Sequence, residues 1–361
     1  MAKTQQYFFS ADLIRALAII FVVLIHVFSE FLNYPKVLGS SDWWIADFFN
    51  SGARVAVPLF IMLSGMLLLH TDKNYTIKEF LKKRASKIGV PLIIWPVIYF
   101  LWKTWLNHEP YTFMSILKDY LNLNIYYHLY YIYIVAAFYL ITPPLKIIIN
   151  FGTKEIKSYF YFLVAFFCLS ATAAMYFLQI PLNVSTIFTV WIPFFLYYLT
   201  GDYFRHTKLS KKQFYLCLAL FISALVLTAL GTRLHMSYLR DVAVGKQVID
   251  YGKYFYDYVS IPVAIMSVIA FIVLHNLPTR YPRLIESKVA PAIVSLAGAS
   301  FGIYLIHPLF LEFSNRILKI PFEALPIPLW IFLFIKLSVL LIISYGVVII
   351  IKRIPFLKLL V

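Results

Sequence analysis

About ten times along this chain a run of apolar residues reaches the length that an α-helix needs to cross a hydrocarbon layer, roughly 20 residues at 1.5 Å each. The runs fall at 13–35, 54–70, 88–106, 126–145, 158–179, 186–204, 212–231, 256–275, 290–312 and 328–351. Little room is left for anything else. A chain so patterned folds as an all-α, polytopic transmembrane bundle, because in lipid each backbone N–H and C=O has to be satisfied within its own segment. The composition agrees: 62% of residues are hydrophobic and 13% charged, with a mean hydropathy of +0.81. Soluble domains carry about 25% charged residues.

The net charge of +16 would suit a nucleic-acid partner if it were gathered on one soluble face. Instead the basic residues lie between the apolar runs, where the positive-inside rule and anionic lipid account for them. With the N-terminus in the cytoplasm, 21 of the 32 Lys and Arg residues fall in inside segments. An even number of helices with both termini cytoplasmic fits this bias. No removable signal peptide is expected, since the first apolar run follows Asp12 and Arg15 and lacks a small-residue cleavage pattern. Cys168 and Cys217 both sit inside apolar runs and suit neither a metal site nor a disulfide framework. The largest outer segments, 36–53, 107–125 and 232–255, are too short for a second domain. Trp43, Trp44, Tyr111 and Tyr120 give them the aromatic content of an interfacial belt. One membrane domain, 1–361, is expected.

Ionisable residues within a span are costly and point to a site. The first run contains Asp12, Arg15, His26 and Glu30. Arg15 and His26 are eleven residues apart, which returns the helix to within about 20° of the same face after about 16 Å. The four therefore form one stripe. Asp12 can pair with Arg15 at i, i+3, and Glu30 can reach His26 at i, i+4. A lone intramembrane histidine is often a packing residue and a lone arginine a snorkelling anchor, but a polar stripe facing a hydrated cavity accounts better for the set. The second run holds Pro58 and the pair Ser64-Gly65, which permit a kink or a close helix approach. Before the third run, Lys82, Lys83, Arg84 and Lys87 gather at a helix start, where backbone amides and the dipole favour an anion. His128 opens the tyrosine-rich fourth run, and Ser300, Tyr304 and His307 share a face of the ninth at i, i+4, i+7.

Together these residues resemble a known family. Arginine, ten residues, then histidine in the first helix is similar to the signature of the acyltransferase 3 proteins, and Arg15 to His26 matches it. Val57 to Met66 resembles that family's apolar stretch ending in Ser-Gly, and Arg84-Ala-Ser-Lys87 its Arg-x-x-Arg element. His128-Leu-Tyr-Tyr through Thr142-Pro143 and Ser300 to Pro308 resemble two later motifs. The five occur in the family's order. Two positions depart from it. Lys87 stands where the second arginine is usual, keeping the charge but losing the bidentate fork, and Tyr130 replaces a tryptophan. Some members carry an appended extracytoplasmic esterase-like domain, and none is expected here.

The resemblance implies a multi-pass cell-membrane enzyme. It would move an acetyl or other short acyl group from cytoplasmic acyl-CoA to a hydroxyl of a surface or lipid-linked glycan. On that reading Lys83, Arg84 and Lys87, helped by Arg15, bind the CoA phosphates. His26 is the base that takes the acceptor's proton, and Glu30 orients or stabilises its ring. Tyr304, His307 and His128 position the acceptor or donate to the developing oxyanion. Ser64 is considered as a covalent acyl carrier, although no adjacent base is implied for it. No metal and no nucleic acid is called for, and membrane lipid is the remaining partner. The rival class is a transporter or flippase for a lipid-linked sugar, whose cavity would also be polar and whose entrance would also be basic.

Overall fold

The computed structural model describes residues 2–32, 37–69, 76–107, 112–178, 186–243, 252–318 and 327–361. Lys73 and Tyr111 lie outside the described residues, and of Lys3 only the backbone is described. The described residues form helices and their connections, with no strand among them. In chain order the α-helices are α1 (Ala2–Leu32), α2 (Ser41–Ala53), α3 (Ala56–Leu68), α4 (Ile77–Asn107), α5 (Phe113–Leu121), α6 (Tyr130–Phe151) and α7 (Lys154–Phe177). They continue with α8 (Phe195–Tyr203), α9 (Lys211–Ala243), α10 (Gly252–Tyr256), α11 (Ile261–Arg280), α12 (Ala290–Glu312) and α13 (Leu329–Arg353). A π-helical turn, Phe313–Leu318, extends α12.

Nine stretches among the described residues are long and apolar enough to cross a membrane, two of them built from a pair of helices, α2 with α3 and α10 with α11. The expected sixth span, 186–204, is the exception. It is made of turns, a 3-10 turn at Ile192–Phe194 and the nine-residue α8. This stretch is nonetheless tied into the bundle at two levels. At one end Tyr197 donates its hydroxyl to the carbonyl of Tyr258, close to where Tyr176 bonds Asp257 at 2.7 Å. At the other, the carbonyl of Arg205 meets His275 Nε2 at 2.9 Å, and His275 Nδ1 meets Ser10 Oγ at 3.1 Å. Contacts from Tyr161 to Asp202 and from Cys168 to Ile192 make it antiparallel to α7. Added to the nine membrane-length stretches, it makes ten segments among the described residues.

Irregular backbone at this depth survives because it is covered. α8 packs directly on α3 through two glycines: a Cβ on Gly65 would strike the carbonyl oxygen of Tyr198, and one on Gly201 that of Met62. Small residues let backbones approach closely where lipid offers no hydrophobic drive for helix association. Tyr198 then stacks on Phe138 at 4.4 Å and shares a 2.6 Å hydrogen bond with Thr142.

The second pass is broken at its middle. Pro58 has no N–H to offer the carbonyl of Arg54, four residues earlier. α2 therefore ends at Ala53, and α3 begins its own ladder with Leu59 N–H on Val55 O at 2.9 Å. The apolar pattern alone puts 36–53 outside the bundle and starts this span at residue 54. In the structure α2 is an integral half of it. Trp43, expected at an interface, is fully buried and donates its indole N–H to Leu32 O at 3.4 Å.

The first and last helices return to the same end. Lys352 donates to the carbonyl of Gly298 in the first half of α12, and Trp95 in α4 donates to Leu360 O at 2.8 Å. Gly298 shares a cavity with Arg15, so the chain's two ends lie on the Arg15 side.

Candidate active site

Two cavities lie end to end along the stripe on α1. The first, of about 450 Å³, is lined by Arg15, Ser64, Arg84, Lys87, Tyr139 and Ser300, with Phe60, Tyr131 and Tyr304 at its inner wall. The second, of about 260 Å³, holds His26, Ser29, Arg54, Tyr127, His128, Tyr130 and Tyr258, and the same Phe60, Tyr131 and Tyr304 close it from the other side. Those three rings are the partition. Phe60 and Tyr131 are 5.9 Å apart, and Tyr131 and Tyr304 5.2 Å. A smaller cavity of about 210 Å³, lined by Lys103, Tyr126, Glu312 and Arg316, shares Tyr127 with the second and continues toward the far end.

In the first cavity the basic groups are held by side chains of the bundle. Arg15 Nη1 pairs with Asp12 Oδ1 at 3.0 Å, as the i, i+3 spacing predicts. The Arg84 guanidinium lies over the Tyr139 ring at 5.4 Å and over Phe80 at 5.3 Å, contacts that orient a planar cation. Lys87 is exposed at the rim. Lys83 is exposed and is not among the lining residues. Ser64 Oγ donates to Phe60 O at 2.9 Å, the usual back-bond of a helical serine.

In the second cavity three histidines from three passes converge. His26 stacks on His307 at 5.3 Å and meets Tyr127 at 4.8 Å. His307 lies 5.8 Å from His128, which is wedged against Tyr99 at 4.7 Å and Tyr304 at 5.3 Å. Pro308 explains part of this arrangement. Its missing N–H leaves the carbonyl of Tyr304, four residues earlier, without its ladder partner, and side chains crowd this turn: Tyr99 donates to Leu305 O at 2.6 Å, and His307 Nδ1 bonds Ile303 O at 2.9 Å. A carbonyl only accepts, so Nδ1 of His307 carries the proton. Nε2 of the neutral ring is then a buried lone pair with no partner among the described residues. Tyr304 likewise donates its hydroxyl to the carbonyl of His128. Neither ring nitrogen of His26 is hydrogen-bonded to a described residue, and the ring faces the cavity.

Glu30 requires a correction. The i, i+4 spacing suggested that it reaches His26. Its carboxylate is taken instead by Lys336 Nζ of α13, at 2.9 Å, and by the side-chain amide of Asn315 in the π-helical turn. The stripe on α1 is therefore divided among three settings: Arg15 in the first cavity, His26 in the second and Glu30 in an ion pair at the far end.

Sequence reasoning missed Arg54. Among the described residues it is the one formally charged side chain lining the His26 cavity, and it stands at the break between α2 and α3. Asp47, Asn50, Ser51 and Arg54 recur at i, i+3, i+4, i+7, a helical stripe that could have been read from the spacing. Asn50 Nδ2 donates to Ile25 O at 3.2 Å and to Ser29 Oγ at 3.0 Å, on either side of His26, while its Oδ1 accepts from Arg54 Nη2 at 3.1 Å.

A polytopic helical bundle with a basic cavity at one end, leading past an aromatic partition to a cluster of histidines, is a membrane protein built around a polar path. A family model described as an acyltransferase domain matches residues 8–349, nearly the whole chain. The chain belongs to this family of membrane acyltransferases, acyltransferase 3. No curated protein and no solved structure matches it.

Proposed function

We propose that this acyltransferase takes its acyl group from an acyl-CoA in the cytoplasm and delivers it to a hydroxyl of a cell-surface or lipid-linked glycan. The observation that carries the reading is the pair of cavities that share Phe60, Tyr131 and Tyr304, one basic and one holding His26. Arg15, Arg84 and Lys87 would receive the phosphates of CoA, with Lys83 adding charge outside the cavity mouth. Phosphate suits such a site because guanidinium and ammonium groups give it charge-assisted hydrogen bonds. The pantetheine arm would then pass between the three rings and present the thioester to the second cavity. Arg15 and His26 are separated by about 16 Å along α1, so the arm has to be extended.

There His26 removes the acceptor hydroxyl's proton as that oxygen bonds to the thioester carbon. The C–S bond breaks when the tetrahedral intermediate collapses, and the CoA sulfur leaves with the proton from His26. A base placed in this way contributes about 10²–10⁴-fold. The smaller cavity beyond Tyr127 offers the acceptor a mouth at the far end, so the bilayer itself would separate donor from acceptor. The membrane in question would be the cell membrane, with the Arg15 end in the cytoplasm.

Mass spectrometry of surface carbohydrate from cells with and without the protein tests this reading. An acyl substituent that disappears with the protein is expected, and its mass identifies the donor. Unchanged acylation, together with loss of a lipid-linked sugar from the outer leaflet, would instead favour a transporter.

A further inference from the structure

We propose that Arg54 is a catalytic residue, its guanidinium stabilising the oxyanion that forms on the thioester carbonyl while His26 acts as base. The proposal rests on the acyl-transfer reading above.

Arg54 makes no ion pair among the described residues where its neighbours do, and the nearest acidic influence on it is Asp47, two turns earlier on α2. Toward the far end of the bundle, Lys336 pairs with Glu30 at 2.9 Å, Lys103 with Asp119 at 3.7 Å and Arg316 with Glu312 at 3.7 Å. Among the described residues Arg54 has no carboxylate within salt-bridge distance. It rests instead over the rings of Tyr256 at 4.8 Å and Tyr258 at 5.8 Å, with one hydrogen bond to Asn50. An intramembrane cation with no carboxylate in salt-bridge contact points to a ligand that supplies an anion. Among the described residues lining this cavity none is acidic, so the anion would come with the substrate or arise during the reaction.

Of the other candidate donors, Tyr304 and His307 are already committed, and His128, whose ring nitrogens have no hydrogen-bond partner among the described residues, is a neutral ring that carries no positive charge. Tyr304 gives its hydroxyl proton to the carbonyl of His128, and His307 gives its Nδ1 proton to Ile303 O, leaving a ring nitrogen that can only accept. Arg54 keeps N–H groups to donate. Asn50 fixes it relative to the base, since Asn50 Nδ2 is anchored on Ile25 and Ser29 of the helix that carries His26. The break in the second pass completes the arrangement. Because Pro58 ends α2 at this depth, the side chain of Arg54 is delivered at a helix end inside the bundle, opposite His26. As the acceptor oxygen bonds to the carbonyl carbon, the C=O pair moves onto the carbonyl oxygen beside the guanidinium. Collapse returns that pair to the C=O bond and expels the CoA sulfur.

The test uses membrane vesicles from the producing cells, which contain the natural acceptor, supplied with radiolabelled acetyl-CoA. Arg54→Met should lower the maximal rate of label transfer by about a hundredfold to a thousandfold, the size of losing one oxyanion donor. The acetyl-CoA concentration giving half-maximal rate should stay within twofold. Arg54→Lys should recover part of the rate. Asn50→Ala, which frees the guanidinium without removing it, should fall in between and keeps the test open if Arg54→Met does not fold. A loss below tenfold, or one that appears only as weaker dependence on acetyl-CoA or on acceptor-bearing vesicles, overturns the proposal and makes Arg54 a binding group. No transfer by the wild-type protein would instead overturn the acyl-CoA reading on which the proposal rests.

Discussion

The imidazole rings of His26 and His307 stack at 5.3 Å between centroids with 29° between their planes. One comes from the first pass and the other from the ninth, and α1 packs along α12 to bring them together. His307 is fixed by its bond to Ile303 O, whereas His26 has no such tether. The pair therefore joins a held ring to one left available for chemistry.

Replacing His26 by Ala is expected to reduce label transfer from acetyl-CoA by about 10²–10⁴-fold, the contribution of a general base. Packing should be little affected, because the ring borders a cavity. Transfer at the wild-type rate in membrane vesicles would remove His26 from the mechanism.

On the donor side, Arg84→Ala and Lys87→Ala should each raise the half-saturating acetyl-CoA concentration about tenfold, since a hydrogen bond to a charged group contributes about 1.5–3 kcal/mol. Lys83→Ala should have a smaller effect, because Lys83 does not line the cavity. An equal effect of all three would place the CoA phosphates outside it. Titrating acetyl-CoA against transfer rate makes the comparison.

Glu30→Gln should change the transfer rate by no more than a few-fold. The carboxylate is engaged with Lys336 rather than with His26, and a partly exposed ion pair is worth about 0–1 kcal/mol. A loss comparable to that of His26→Ala would mean that Glu30 orients the base after all. The discriminating measurement is the ratio of the two variants' rates in one vesicle preparation.

Ser64→Ala should remain active, because the hydroxyl is spent on Phe60 O and has no base beside it. Incubation with labelled acetyl-CoA followed by denaturing gel electrophoresis should show no label on Ser64. Label that vanishes in the variant would establish a covalent intermediate there.

Gly65→Ala and Gly201→Ala should each destabilise the protein by about 3 kcal/mol, at the upper end of the overpacking range. The added methyl meets backbone of the facing helix, which no rotamer change can relieve. Thermal unfolding in detergent measures the shift, and an unchanged midpoint would show that α3 and α8 can separate at no cost.

The apolar runs fixed the fold class by themselves, because run length against bilayer thickness admits few alternatives. The same logic marked Arg15, His26, His128 and His307 as costly enough to need a reason. The Asp12–Arg15 pair was also legible, since both partners lie within one helical turn. What sequence spacing did not decide was which partner wins when several are possible. Glu30 could reach His26 along its own helix, yet Lys336 and Asn315 stand across from it and offer charge and a hydrogen bond that a neutral ring cannot match. Residues 41–53, with Asp47, Asn50 and Ser51, look too polar to enter a membrane. Asn50 and Ser51 are buried with Ile25 O, Ser29, Thr232 and Arg54 as partners, recruited from α1, from α9 and from α2's own end, while Asp47 accepts from Ser51 within its own helix. The sixth pass is apolar enough for a long helix, but Pro193 stands in the 3-10 turn that precedes α8, which runs for only nine residues. Local sequence sets what each segment can tolerate; the packed bundle, by supplying partners distant in the chain, decided where Arg54 sits and therefore what faces His26.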